Sequence, residues 1–93
     1  MIFIDSWAWI ALADKSDPYH RSAKALHKKL SRARQKYVTT NDVLGETITY
    51  LFDALGAAKA QGFINTVLAA VDADSYQLVY VSPQQFRRAW QMR

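Results

Sequence analysis

Ninety-three residues suffice for one small domain with a modest core, and 51% of them are apolar, as in an ordinary globular chain. The formal charge is +4, from twelve Lys and Arg against eight Asp and Glu. With no cysteine there is neither a disulfide nor a thiolate metal site. That composition suits a reducing compartment, and the cytoplasm is the expected location.

The chain opens with a short apolar run, residues 1–4, closed by Asp5 and Ser6. Such a run reads as a buried strand. No basic stretch precedes it and Asp5 interrupts it, so neither a secretory signal nor a membrane span is expected. Residues 7–13 contain no breaker and read as a helix. Asp5 therefore stands at the carboxyl end of the first strand, the edge where open α/β sheets bind ligands. It is equally well placed to cap the helix.

Residues 14–18 form a turn in which Asp17 can cap a second helix with Pro18 at its first position. That helix is expected over 18–34, with Tyr19, Ala23, Leu26, Leu30 and Ala33 as its apolar line. Eight of the twelve basic residues fall between Lys15 and Lys36. Among them Lys24, Lys28 and Arg32 are the candidate contacts to an RNA backbone. The same charges also fit the solvated face of a helix. His20 and His27, seven apart, are read as not sharing one helix face, and with no third ligand in view they are expected to be exposed rather than a metal pair.

Residues 37–40, Tyr-Val-Thr-Thr, are β-prone and read as a second buried strand. Thr39, Thr40, Asn41 and Asp42 then offer N-caps for a helix whose inner face carries Val43, Leu44, Thr47, Ile48, Leu51, Phe52 and Leu55. Gly56 ends it. Glu46, the sole glutamate of the chain, borders that apolar stripe. It either reaches water or a lysine, or is a carboxylate aimed into a shared site. Residues 57–71 read as a further helix, joined at Gly56 into a hairpin and presenting Phe63, Ile64, Val67, Leu68 and Val71. Asp72 to Ser75 is a polar turn. Residues 77–81 read as the third strand, and Ser82 and Pro83 open a last helix with Phe86, Ala89 and Trp90 as apolar positions. Strands separated by helical crossovers imply an α/β fold with a small parallel sheet of three strands.

Two motifs carry a family resemblance. The first is the hydrophobic strand ending in Asp-Ser before an aromatic-bearing helix, Ile2-Phe3-Ile4-Asp5-Ser6-Trp7-Ala8-Trp9. The second is the Thr-rich strand end followed by a helix bearing glutamate, Thr39-Thr40-Asn41-Asp42-Val43-Leu44-Gly45-Glu46-Thr47. With the Asp-Pro-Tyr-His turn at residues 17–20, the chain resembles the first part of PIN-domain proteins of the VapC toxin type, over essentially its whole length.

The resemblance implies a metal-dependent endoribonuclease toxin that hydrolyses RNA phosphodiester bonds. Asp5 would ligate Mg²⁺ or Mn²⁺ directly and Glu46 would be the second acidic group. Ser6 and Thr40 would orient carboxylates, water or phosphate. Hard divalent cations want such oxygen ligands. The family pairs its toxins with a small antitoxin protein, for which the helix at 18–34 and the hairpin at 42–71 offer surface.

The family pattern also continues beyond the last helix seen here, with a Ser-Leu-Thr-Asp-Cys-like stretch and a further acidic residue. Asp53, Asp72 and Asp74 do not sit in that motif. The expected domain is thus PIN-like and C-terminally incomplete. It could be a fragment, a short homologue without catalysis acting through an antitoxin or self-association, or a chain completed by a partner. An exposed sheet edge and Trp90 favour a homo-oligomer.

Overall fold

A computed structural model describes residues 1–84. The chain runs β1 (Ile2–Phe3), α1 (Ser6–Ala13), α2 (His20–Arg32), β2 (Tyr37–Thr40), α3 (Asn41–Leu55), α4 (Ala57–Asp72) and β3 (Tyr76–Val79). The three strands are parallel in the order β1-β2-β3 and the sheet is open. Each crossover is a pair of helices, as the alternation of apolar strands and helical stretches requires. Gly56 separates α3 from α4 at φ +87°, a left-handed value that strains any residue bearing a Cβ.

Strand register decides what is buried. Ile2, Tyr37 and Tyr76 lie side by side, and Thr39 lies beside Leu78. With Ile4 these residues face the helices, where Trp9, Leu44 and Val67 complete the core. The alternate residues point the other way. Phe3 is 57% and Val79 40% exposed, and Val38, which lies between Phe3 and Gln77, is half-buried. Parallel sheets are ordinarily covered on both faces; the described residues cover one.

Trp9 is the centre of the packing. Its ring meets Tyr37 at 6.2 Å, Phe63 at 5.8 Å and Tyr76 at 5.7 Å between centroids. Its indole N–H donates to the Thr39 hydroxyl (3.2 Å), which donates in turn to the Ile4 carbonyl (3.1 Å). One buried hydroxyl therefore ties α1, β2 and the end of β1 together.

Several expectations are corrected. The second helix starts at His20, not Pro18, because Asp17 caps a turn. Its Oδ1 accepts from the Tyr19 N–H at 2.8 Å and its carbonyl from the His20 N–H at 3.0 Å. The helix ends at Arg32, and Arg34 at φ +56° turns the chain toward β2.

Tyr19 and Leu26, placed on the apolar line, are exposed. His20 and His27 instead turn inward and are half-buried. Each finds a polar partner there: His20 Nδ1 lies 2.8 Å from the Ala11 carbonyl and His27 Nδ1 lies 2.9 Å from the Tyr37 hydroxyl. Two histidines seven apart do share a helix face, at 3.6 residues per turn.

Phe52 and Leu68, expected inside, are also exposed. The third strand spans Tyr76–Val79, and Val81 beyond it bonds a side chain instead of a strand. Phe86, Ala89 and Trp90 lie outside the described residues.

Replacing Thr39 by Val keeps the shape of the side chain but leaves a buried indole N–H without its acceptor. Urea unfolding is expected to show a loss of about 1–3 kcal/mol for Thr39→Val, with Thr39→Ser retaining more stability. Equal stability of the valine variant and the parent would show that the bridge is not structural.

Candidate active site

Asp5 follows β1 at the carboxyl edge of the sheet, across from Thr40 at the end of β2. It is exposed, whereas Ser6 beside it is buried. Asp5 Oδ1 accepts from the Ser6 N–H at 2.7 Å and from its hydroxyl at 3.4 Å. Asp5 is thus the N-cap of α1. Its second carboxylate oxygen takes no hydrogen bond among the described residues, so capping does not exhaust the group.

Thr40 is the N-cap of α3, its hydroxyl accepting from the Val43 N–H at 3.1 Å. Asn41 next to it holds the chain leaving β3. Its Oδ1 accepts from the Val81 N–H at 2.7 Å and its Nδ2 donates to the Val81 carbonyl at 3.4 Å. The sequence shows Asn41 only as a possible cap, since its partner is forty positions away. This clamp keeps the carboxyl edges of β2 and β3 together.

Glu46 stands in the second turn of α3 beside buried Leu44 and Thr47. The side chain is exposed, so no burial cost has to be offset. Among the described residues it makes no ion pair; the pair found there is Lys36 with Asp74, at 2.9 Å on the surface. Nor do the described residues include a group of three His, Cys, Asp or Glu placed to hold a metal. Two carboxylates suit Mg²⁺ or Mn²⁺ in kind, since magnesium takes one or two of them and leaves the remaining positions to water and substrate phosphate. They fall short of a closed acidic cluster.

An aromatic cleft of about 210 Å³ adjoins this edge, lined by Trp7, Ile10, Asp17, Pro18, Tyr19 and Tyr50. Trp7 is two residues past Asp5, and Tyr50 is one helical turn past Glu46. Trp7 and Tyr19 pack at a tilt, 5.3 Å between centroids, with 59% and 57% of their surface still exposed. The cleft is not visible in the sequence, because its rings come from three separate segments.

Lys24, Lys28 and Arg32 are exposed along α2, which packs chiefly on α1. Lys24 and Lys28 share one shallow depression with Arg21.

Two kinds of titration are shaped by the fold. Burial pushes the Tyr37 and Tyr76 hydroxyls above their ordinary range, with Tyr76 adding to the effect on Tyr37. Asp14, which closes α1, is held below the usual carboxylate range by the Ser16 hydroxyl and N–H, with smaller help from His20 and Lys59. Those bonds measure 2.6 Å and 3.0 Å.

No protein-family model matches the chain, and no curated protein sequence matches it. Among solved structures, the chain is similar to the crystal structure of VapC20 of Mycobacterium tuberculosis, a sarcin-ricin loop cleaving toxin. The two share 28% sequence identity with a TM-score of 0.75, over 99% of this chain and 65% of that one. The fold is accordingly PIN-like, an open parallel sheet of three strands with helical crossovers. The chain spans 65% of the length of the toxin it matches. Among the described residues, no helix is long and apolar enough to cross a membrane.

The Asp14 arrangement carries a pH dependence of definite sign. Because its folded-state pKa is lowered, its contribution is present above the unfolded value and is lost as pH falls through the folded one. Removing the hydroxyl in Ser16→Ala is expected to weaken the fall in Tm on the acid side of about pH 4. An unchanged acid limb in that variant would show that Ser16 does not set the Asp14 charge.

Proposed function

We propose that this chain carries the metal-binding edge of a PIN-type endoribonuclease, with RNA as substrate. The observation that carries the proposal is Asp5. It sits at the carboxyl end of β1, anchored by the buried Ser6, with one carboxylate oxygen uncommitted among the described residues. Glu46 on α3 is the second acid. Similarity to a toxin that cleaves the sarcin-ricin loop supports RNA as the substrate class.

In this proposal Asp5 and Glu46 hold Mg²⁺ or Mn²⁺ through oxygen. The ion, when bound, activates water and neutralises charge on the phosphate. Ser6 fixes the orientation of Asp5 through its N–H and hydroxyl. Thr40 fixes the start of α3 and through it the position of Glu46. The exposed rings of Trp7, Tyr19 and Tyr50 offer stacking faces to unpaired bases, worth about 1–3 kcal/mol per base in such sites. Lys24, Lys28 and Arg32 supply charge for the flanking phosphates.

A second reading, also a proposal, is a PIN-like protein that acts by association, with an antitoxin or with its own copy. The sheet face that the described residues leave uncovered, at Phe3, Val38 and Val79, favours it.

Asparagine caps helices about as well as aspartate, so Asp5→Asn separates chemistry from folding. Under the first reading the purified chain cleaves RNA only with added Mg²⁺ or Mn²⁺. Asp5→Asn and Glu46→Gln each lower that rate by at least about tenfold, equivalent to about 1.4 kcal/mol in barrier, while Asp5→Asn leaves the melting temperature within a few degrees. Cleavage that survives Asp5→Asn would reject the assignment. Absence of cleavage together with a dimer in sedimentation would establish the second reading.

A further inference from the structure

We infer that the cleft between α2 and α4 is a binding site for a small aromatic anion, separate from the carboxylate edge. The cleft holds about 330 Å³, the lower end of the range that takes a small ligand. That volume suits a molecule of one or two rings, not the roughly 800 Å² per partner that a stable protein interface buries.

The rim has one sign of charge. His20, Lys24 and His27 line the cleft at i, i+4 and i+7 of α2, and Lys15 joins them from the preceding turn. A helix edge turned toward the rest of the domain is normally apolar. Here, apart from Leu30, which packs on the core, the edge along the cleft carries imidazole, ammonium and imidazole, and no residue of α2 is buried. Among the described residues, no carboxylate lines the space. Asp14, whose charge interacts with His20, is already committed to the hydroxyl and N–H of Ser16.

The imidazoles are held in place. The Ala11 carbonyl can only accept, so His20 Nδ1 carries the proton and Nε2 is the nitrogen left uncommitted. His27 is held by its Nδ1, 2.9 Å from the Tyr37 hydroxyl, which can donate or accept. The two lysines supply permanent charge, and each imidazole gains a second N–H when protonated.

The floor is aromatic. Trp9 meets Phe63 edge-on at 69° and Tyr76 at 50°, and all three line the cleft. An apolar floor beneath a cationic rim matches a flat apolar body carrying a single phosphate or carboxylate. An uncharged ring would leave the rim unused, and an inorganic anion would leave the floor unused.

The test is an NMR titration of the isotope-labelled chain with phenyl phosphate, against benzylamine and inorganic phosphate. Phenyl phosphate is expected to saturate with a Kd below about 1 mM and to shift the ring signals of His20 and His27. Inorganic phosphate should bind at least about tenfold more weakly, and benzylamine should not bind up to about 10 mM. Lys24 is exposed, so Lys24→Glu should fold normally, and it should weaken phenyl phosphate by about tenfold or more. Lys29→Glu, on the same helix but outside the cleft, should leave the affinity unchanged.

Equal binding of benzylamine, equal binding of inorganic phosphate, or indifference to Lys24→Glu would each overturn the assignment. So would shifts centred on Asp5 and Glu46, or no binding of phenyl phosphate. An acidic peptide that displaced phenyl phosphate with about hundredfold higher affinity would reassign the cleft to a protein partner.

Discussion

The Thr39 hydroxyl is the point on which the rest of this structure depends. It accepts from the Trp9 indole and donates to the Ile4 carbonyl, with only 1% of the residue exposed. A small domain cannot leave such groups unpaired, since a buried donor without its acceptor costs about 1–3 kcal/mol against a modest total stability. Through this hydroxyl, α1 is positioned over the sheet and the end of β1 is fixed one residue before Asp5. The same indole sets the rings of Tyr37, Phe63 and Tyr76 around it. Core packing and the placement of the candidate carboxylate are therefore one arrangement.

Two surfaces of opposite character follow from that core. Asp5 at the carboxyl edge of the sheet and Glu46 on α3 are exposed, and Trp7, Tyr19 and Tyr50, from the same α1 and α3 and the turn before α2, line an aromatic cleft. On the other flank of α1, the inner edge of α2 carries His20, Lys24 and His27 over an aromatic floor. An acidic edge suits a cation that bridges to phosphate, and a cationic rim suits an anion held directly. The two proposals thus assign chemically distinct ligands to two separate parts of a domain that buries few residues. Asp5 shows how capping and ligation coexist: Oδ1 serves the helix while the other oxygen stays available.

Features encoded locally were legible in the sequence. Strand β2 and the stop at Gly56 each follow from neighbouring residues, and the structure has them where expected; of the four possible caps at residues 39–42 it uses Thr40. Asp5 was legible as a strand-end carboxylate, and Glu46 as a lone glutamate beside an apolar stripe. What was not legible depends on partners distant in the chain. His20 and His27 turn inward because the Ala11 carbonyl and the Tyr37 hydroxyl await them, and neither partner is visible in a helical periodicity. Tyr19 and Leu26 lie outside for the same reason, the inner positions being taken by the histidines. The Asn41 clamp on Val81 and the cleft beside Trp7 are likewise products of assembly.

The account stands most directly on where a divalent ion binds. Mn²⁺ added to the isotope-labelled chain broadens the signals of nearby nuclei, and it reports binding without requiring turnover. The account predicts broadening centred on Asp5, Ser6 and Glu46, relieved by excess Mg²⁺ and absent in Asp5→Asn. Broadening centred on Asp72 and Asp74, or unchanged by Asp5→Asn, would contradict it.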